Sequence, residues 1–131
     1  MDQTTTSGTG GTSDALGPGL DCERLDVYRA AVEFERVAYA LRSNRRIGAA
    51  LRDQLERASI SIVLCIAEGT GRRTTRDKAH FFAIARGSAT ECAAILELLE
   101  ARCRISATEH RRGRGLLLRI VQMLTRLMAN R

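Results

Sequence analysis

The chain has 131 residues, enough for one domain, and its 44% hydrophobic content is ordinary for a domain with a buried core. One Pro, no Trp and few aromatics, against many Ala, Leu and Arg, disfavour a sheet and favour helix, where straight-chain side chains lose little rotamer freedom. The formal net charge of +6 points to a polyanion as partner, and every base except Lys78 is Arg, which suits phosphate contacts and is equally what a genome rich in G and C produces.

Residues 1–20, MDQTTTSGTGGTSDALGPGL, carry Asp2 and Asp14 but no base, so the rest of the chain is more basic than the whole. They offer too little apolar surface to offset ordering entropy and are expected to form a disordered tail. The stretch lacks the basic start and continuous apolar run of a signal peptide, so a cytoplasmic location is expected. Residues 21–131 are expected to form one helical domain.

The first periodic segment runs from about Asp21 to Arg42, with Val27, Ala31, Phe34, Ala38 and Leu41 alternately four and three residues apart. Asp21 is the expected N-cap, with Glu23 complementing the helix dipole. The second begins near Asn44 and presents Ile47, Leu51, Leu55, Ala58, Ile62 and Cys65. Its run from Ala58 to Ala67, ASISIVLCIA, contains no charge, which implies burial on more than one side. That run is too short to cross a membrane. It points to a central position in a bundle or to a subunit interface through Ile60, Val63 and Leu64. Gly69 is the expected left-handed terminator.

The third segment opens at Thr74 or Thr75, with Asp77 completing a capping box, and carries the stripe Phe82, Ala85, Ala89, Cys92, Leu96, Leu99 and Cys103. Ala85, Gly87, Ser88 and Ala89 should admit a close neighbour. The fourth starts with the capping box Ser106 and Glu109 and continues through Leu117, Ile120, Leu124 and Leu127, its first turns weakened by Gly113 and Gly115. Four amphipathic helices with short connections predict an all-α, antiparallel up-down-up-down four-helix bundle.

That topology brings the first and third connections to one end, where Arg42, Arg45, Arg46, Arg52, Arg102, Arg104, Arg111, Arg112 and Arg114 converge. Arg72, Arg73, Arg76 and Lys78 form a smaller group at the other end. Two readings stand for these bases: phosphate contacts, or solvated helix ends that satisfy last-turn carbonyls.

The loop EGTGRRTT lacks the G-x-x-x-x-G-K-[ST] order and preceding strand of a nucleotide-phosphate loop, and no dinucleotide fingerprint is present. What remains is an anion contact from the start of the third helix with Arg72 and Arg73. Cys22, Cys65, Cys92 and Cys103 contain no C-x-x-C, and neither His80 nor His110 has a second ligand at helical spacing. No metal site, disulfide or cofactor is expected. No nucleophile, base and orienting group gather, so no catalytic residue is assigned. Glu68 and Glu91 stand in apolar or small-residue surroundings. They are expected to pair with Arg57 or Arg86 in a buried polar set that includes Ser88 and fixes helix register.

The stretches LDVYRAAVEF, QLERASISIVLCIAEGTGR and RDKAHFFAIARGSATECAAIL resemble the four-helix-bundle family encoded in intervening sequences of bacterial 23S ribosomal RNA genes. The likeness spans about residues 24–127 and is carried by Arg57, Ala58, Ser61, Ile62, Ile66 to Gly69, Phe81 or Phe82, Ile84 to Ser88, and Glu91. Cys65 stands where the family usually has Asn, and the Pro common in the first connection is absent. The resemblance implies a homo-oligomer, a ring-shaped pentamer in related proteins. One relative in fold, the accessory protein of diversity-generating retroelements, implies nucleic acid and a reverse transcriptase as partners. The expected function is a non-enzymatic oligomeric bundle that binds RNA or DNA phosphates. The alternative is a protein-interaction scaffold with no nucleic-acid role.

Overall fold

The computed structural model describes residues 20–129. Four long helices follow one another: α1 (Asp26–Arg42), α2 (Ala49–Thr70), α3 (Thr75–Ala101) and α4 (Ala107–Ala129), with 3₁₀ turns at Asp21–Arg24 and Arg45–Ile47. The described residues contain no strand. Each helix packs against its chain neighbours, and α1 closes the bundle against α4. Arg46 Nη2 donates to the carbonyl oxygen of Cys103 at 2.8 Å, tying the first connection to the third. This is the all-α up-down-up-down bundle that the periodicity predicts. The expected tail falls outside the described residues, apart from Leu20, as do residues 130–131.

The α1 seam is buried as its spacing requires: Val27, Ala31, Phe34, Ala38 and Leu41 all face the core. Asp21 does not cap this helix, however. It opens the preceding 3₁₀ turn, and the N-cap position of α1 is Leu25, without a side-chain cap. Asn44 caps the second 3₁₀ turn by accepting the Arg46 N–H at 2.9 Å. α2 itself starts after Gly48, whose φ of 90° lies where a side chain would be strained.

The α2–α3 pair is closely packed because small residues line it. Gly69 is not the left-handed terminator. It is helical and buried, and a Cβ there would lie 2.8 Å from Phe82 Cε1. The helix instead ends at Gly71 in right-handed geometry, with Lys78 Nζ donating to the Thr70 carbonyl at 2.9 Å. Gly87 also departs from expectation, since it faces open space and admits no neighbour. At the crossing of α3 and α4 it is Gly113 that permits close approach: a Cβ there would meet Leu96 Cδ1 at 2.6 Å.

Caps at the later helices follow the sequence. Thr74 Oγ1 accepts the Asp77 N–H at 3.0 Å, and Ser106 and Glu109 exchange two hydrogen bonds of 3.0 and 2.8 Å. The α3 stripe ends at Leu99. Cys103 lies beyond the helix, exposed, with φ 57°, the left-handed residue of a Schellman turn in which its N–H bonds Glu100 O and the Arg104 N–H bonds Leu99 O.

Candidate nucleic-acid interface

The end built by the first and third connections gathers bases from three segments. Arg45 and Arg46 come from the 3₁₀ turn, Arg102 and Arg104 from the α3–α4 turn and Arg111 from the start of α4, whereas Arg114, expected here, lies further along α4 beside Ala89 and Ala93 of α3. All six are exposed. Arg46 is fixed through the Cys103 carbonyl, and Asn44 Nδ2 donates to Arg104 O at 3.4 Å, so the two connections form one surface. Among the described residues no ion pair involves Arg45, Arg102, Arg104 or Arg114. Arg111 donates to Thr108 Oγ1 at 3.3 Å, which leaves its charge uncompensated. The shallow cleft here, about 540 Å³, is lined by Asn44, Arg46 and Arg104 together with the acids Glu100 and Glu109.

Arg42 does not belong to this surface. Its side chain is 8% exposed and binds Glu35 through both amino groups, Nη2–Oε2 at 2.9 Å and Nη1–Oε1 at 3.3 Å. The buried Ser59 accepts from Arg42 Nη1 at 3.1 Å and donates to Glu35 Oε1 at 2.6 Å. Arg42 stacks on Tyr39, and Arg52 Nε bonds its carbonyl oxygen at 3.2 Å. Burial alone would raise the Glu35 pKa, but the hydrogen bonds from Arg42 and Ser59 and the charge of Arg42 outweigh it and hold the carboxyl below its usual range. Arg112 is likewise engaged, with Glu33 of α1 at 3.3 Å, although both partners are exposed.

At the opposite end, Arg72 pairs with Glu68 at 2.5 Å and lies over the Phe81 ring, 4.7 Å from its centroid. That engagement removes Arg72 from a free anion site. Arg73 and Arg76 are exposed and without an ion pair among the described residues.

The expected buried polar set is not what the chain forms. Arg57, Glu68 and Glu91 are exposed, and neither acid pairs with Arg57 or Arg86. Arg86 donates to Thr125 Oγ1 of α4 at 3.1 Å, and half-buried Ser88 donates to Ser61 Oγ of α2 at 2.9 Å. The Glu35–Arg42–Ser59 cluster is the buried one. A sequence signal for it exists: Glu35 and Arg42 are seven residues apart, two turns on one helix side, flanking the apolar seam. Of the proposed interface residues, Ile60 and Leu64 point outward, whereas Val63 packs against the core.

The four cysteines are free thiols, and burial, with the charges of Glu91 and Glu35 adding, pushes Cys92 up to about 12. No three His, Cys, Asp or Glu side chains among the described residues are grouped to hold a metal, and no described helix is long and apolar enough to cross a membrane.

The family model for 23S rRNA-intervening sequence proteins matches residues 23–126. The chain belongs to that family. Comparison with curated proteins gives no match. The matched span starts before α1 and ends within the last turn of α4, so the three segments that carry the arginine surface lie within the family region.

Proposed function

We propose that this member of the 23S rRNA-intervening sequence protein family is a non-enzymatic, cytoplasmic bundle that binds RNA or DNA phosphates. The observation that supports this most is the single surface made by Arg45, Arg46, Arg102, Arg104 and Arg111 from three chain segments. Like charges brought together at one end repel one another. A polyanion relieves that repulsion and releases its own condensed counterions, which makes binding strongly salt-dependent and nearly indifferent to sequence.

Titration of labelled structured RNA and duplex DNA at several salt concentrations tests this reading. Log Kd should vary linearly with log salt, and a chain with Arg45→Ala, Arg104→Ala and Arg111→Ala together should lose about three phosphate contacts from the slope. Absence of binding at low salt, or an unchanged slope in the triple variant, refutes it and favours a scaffold that recognises only protein.

Self-association is proposed as a second property. It is favoured by the apolar side chains that the bundle leaves outside its core, Ile60 and Leu64 on α2 and Ile84 on α3.

A further inference from the structure

Tyr39 stands in the last turn of α1 and is 66% exposed. Among the described residues it is the one exposed Phe or Tyr: Phe34 and Phe82 are buried, and Tyr28 and Phe81 are half-buried. Its ring is nevertheless held in place. The Arg42 guanidinium lies against it, 5.4 Å from the ring centroid, and that guanidinium is itself fixed by Glu35 at 2.9 and 3.3 Å and by Ser59 at 3.1 Å. A cation anchored in this way orients the ring through its π-face, and most of the ring remains open to solvent.

The ring also adjoins the arginine end. The Tyr39 carbonyl oxygen accepts from the Ser43 N–H and from Ser43 Oγ, both at 3.2 Å, so Tyr39 sits one helical turn before the connection that carries Arg45 and Arg46. Arg52 reaches the same corner from α2, its Nε donating to the Arg42 carbonyl oxygen at 3.2 Å. Neither Arg52 nor Arg45 has an ion pair among the described residues.

We propose that Tyr39 stacks on an unpaired base of the bound nucleic acid while Arg52 and Arg45 hold the flanking phosphates. This rests on the phosphate-binding reading above and adds the class of strand that is taken: single strands, loops and bulges in preference to uninterrupted duplex. Phosphate contacts alone do not separate strands of equal charge. An aromatic face does, because a base inside a duplex is covered on both sides by its neighbours and only an unpaired one offers a face. Every base has such a face, so the contact keeps the weak sequence preference of a phosphate binder. A ring already oriented loses less rotamer freedom on binding than a loose one, which favours Tyr39 for this role.

The chain has two tyrosines and no Trp, so Tyr28→Phe leaves Tyr39 as the only strong intrinsic fluorophore. The full chain with that substitution is titrated at low salt with oligouridylate and with an abasic phosphodiester strand of the same length and charge. Oligouridylate should quench Tyr39 and bind about 5- to 100-fold tighter than the abasic strand, which should bind without quenching. Tyr39→Ala should bring the two affinities together and leave the salt slope unchanged, whereas Tyr39→Phe should keep the preference. Oligouridylate that binds with salt dependence but without quenching, or a preference that survives Tyr39→Ala, overturns the inference and leaves phosphate binding standing. A chain that binds neither strand at low salt overturns both.

Discussion

Arg42 reaches back seven residues along α1 to hold both carboxylate oxygens of Glu35, and Ser59 of α2 closes the set with a 2.6 Å bond to the same carboxylate. The side chains therefore join α1 to α2 through a partly dehydrated ion pair, and the guanidinium is turned away from the bundle end. Removing Arg42 leaves the Glu35 carboxylate with the Ser59 hydroxyl as its side-chain partner and without a compensating charge.

Arg42→Met is therefore expected to destabilise the fold by about 2–3 kcal/mol, below the full cost for a buried pair because Glu35 retains contact with water. Urea unfolding measures this. The same variant, where folded, should keep the salt slope of RNA binding. Arg45→Ala should do the reverse, leaving stability within about 0.5 kcal/mol and reducing the slope by about one contact. A stable Arg42→Met protein would show that the ion pair contributes nothing to the fold.

The pH profile of stability should have two edges. Glu35 is more acidic folded than unfolded, so its contribution is complete above the unfolded value near 4.5 and is lost as pH falls through the lower folded value. Cys92 behaves oppositely: its folded pKa is about 12 against 9.0, so the folded state keeps a proton that the unfolded chain releases, and stability falls as pH rises through that window. Denaturant midpoints across pH check both edges. Glu35→Gln should lose its share of the acid slope, and Cys92→Ser should lose its share of the alkaline one.

Glycine substitutions should separate by position. Gly87→Ala and Gly115→Ala face open space within helices and should each stabilise by about 0.5–1 kcal/mol, the usual helix-interior difference. Gly69→Ala and Gly113→Ala bring a methyl against Phe82 and Leu96, both buried, and should lower the melting temperature despite the same gain in propensity. Four thermal melts decide it. A stabilised Gly113→Ala would mean that Leu96 moves aside without cost.

Cys103 occupies a left-handed backbone position that favours glycine. Cys103→Gly should raise stability by about 1 kcal/mol, read from the denaturant midpoint, because the Cβ clash with the neighbouring carbonyl disappears. In the native protein Cys103 should be the first thiol to react with a maleimide, whereas Cys92 and Cys22 should react only on unfolding, as peptide mapping after brief labelling would show.

Helix identity, order and antiparallel topology were legible in the residues, because the seams Val27 to Leu41 and Phe82 to Leu99 repeat with a helical period and Thr74, Ser106 and Glu109 mark two starts. These signals are local, and each reports on its own helix whatever it packs against. The meeting of the two arginine-bearing connections followed from the topology alone. What each polar side chain faces did not follow. An uncharged run through Ile60 and Leu64 reads the same whether the core or solvent covers its outer side, so the exposure of Leu64 and the packing of Val63 emerged only with the neighbouring helices in place. Gly69 carried a helix-stop signal, yet Phe82 from the next helix requires its bare Cα, and the helix runs on to Thr70, whose carbonyl accepts a hydrogen bond from Lys78. Arg42 belongs by sequence to the basic end. Only the placement of Ser59 across the α1–α2 interface shows why its charge turns inward: the lowest-energy site for a long guanidinium is the one where a carboxylate and a hydroxyl are already held in position.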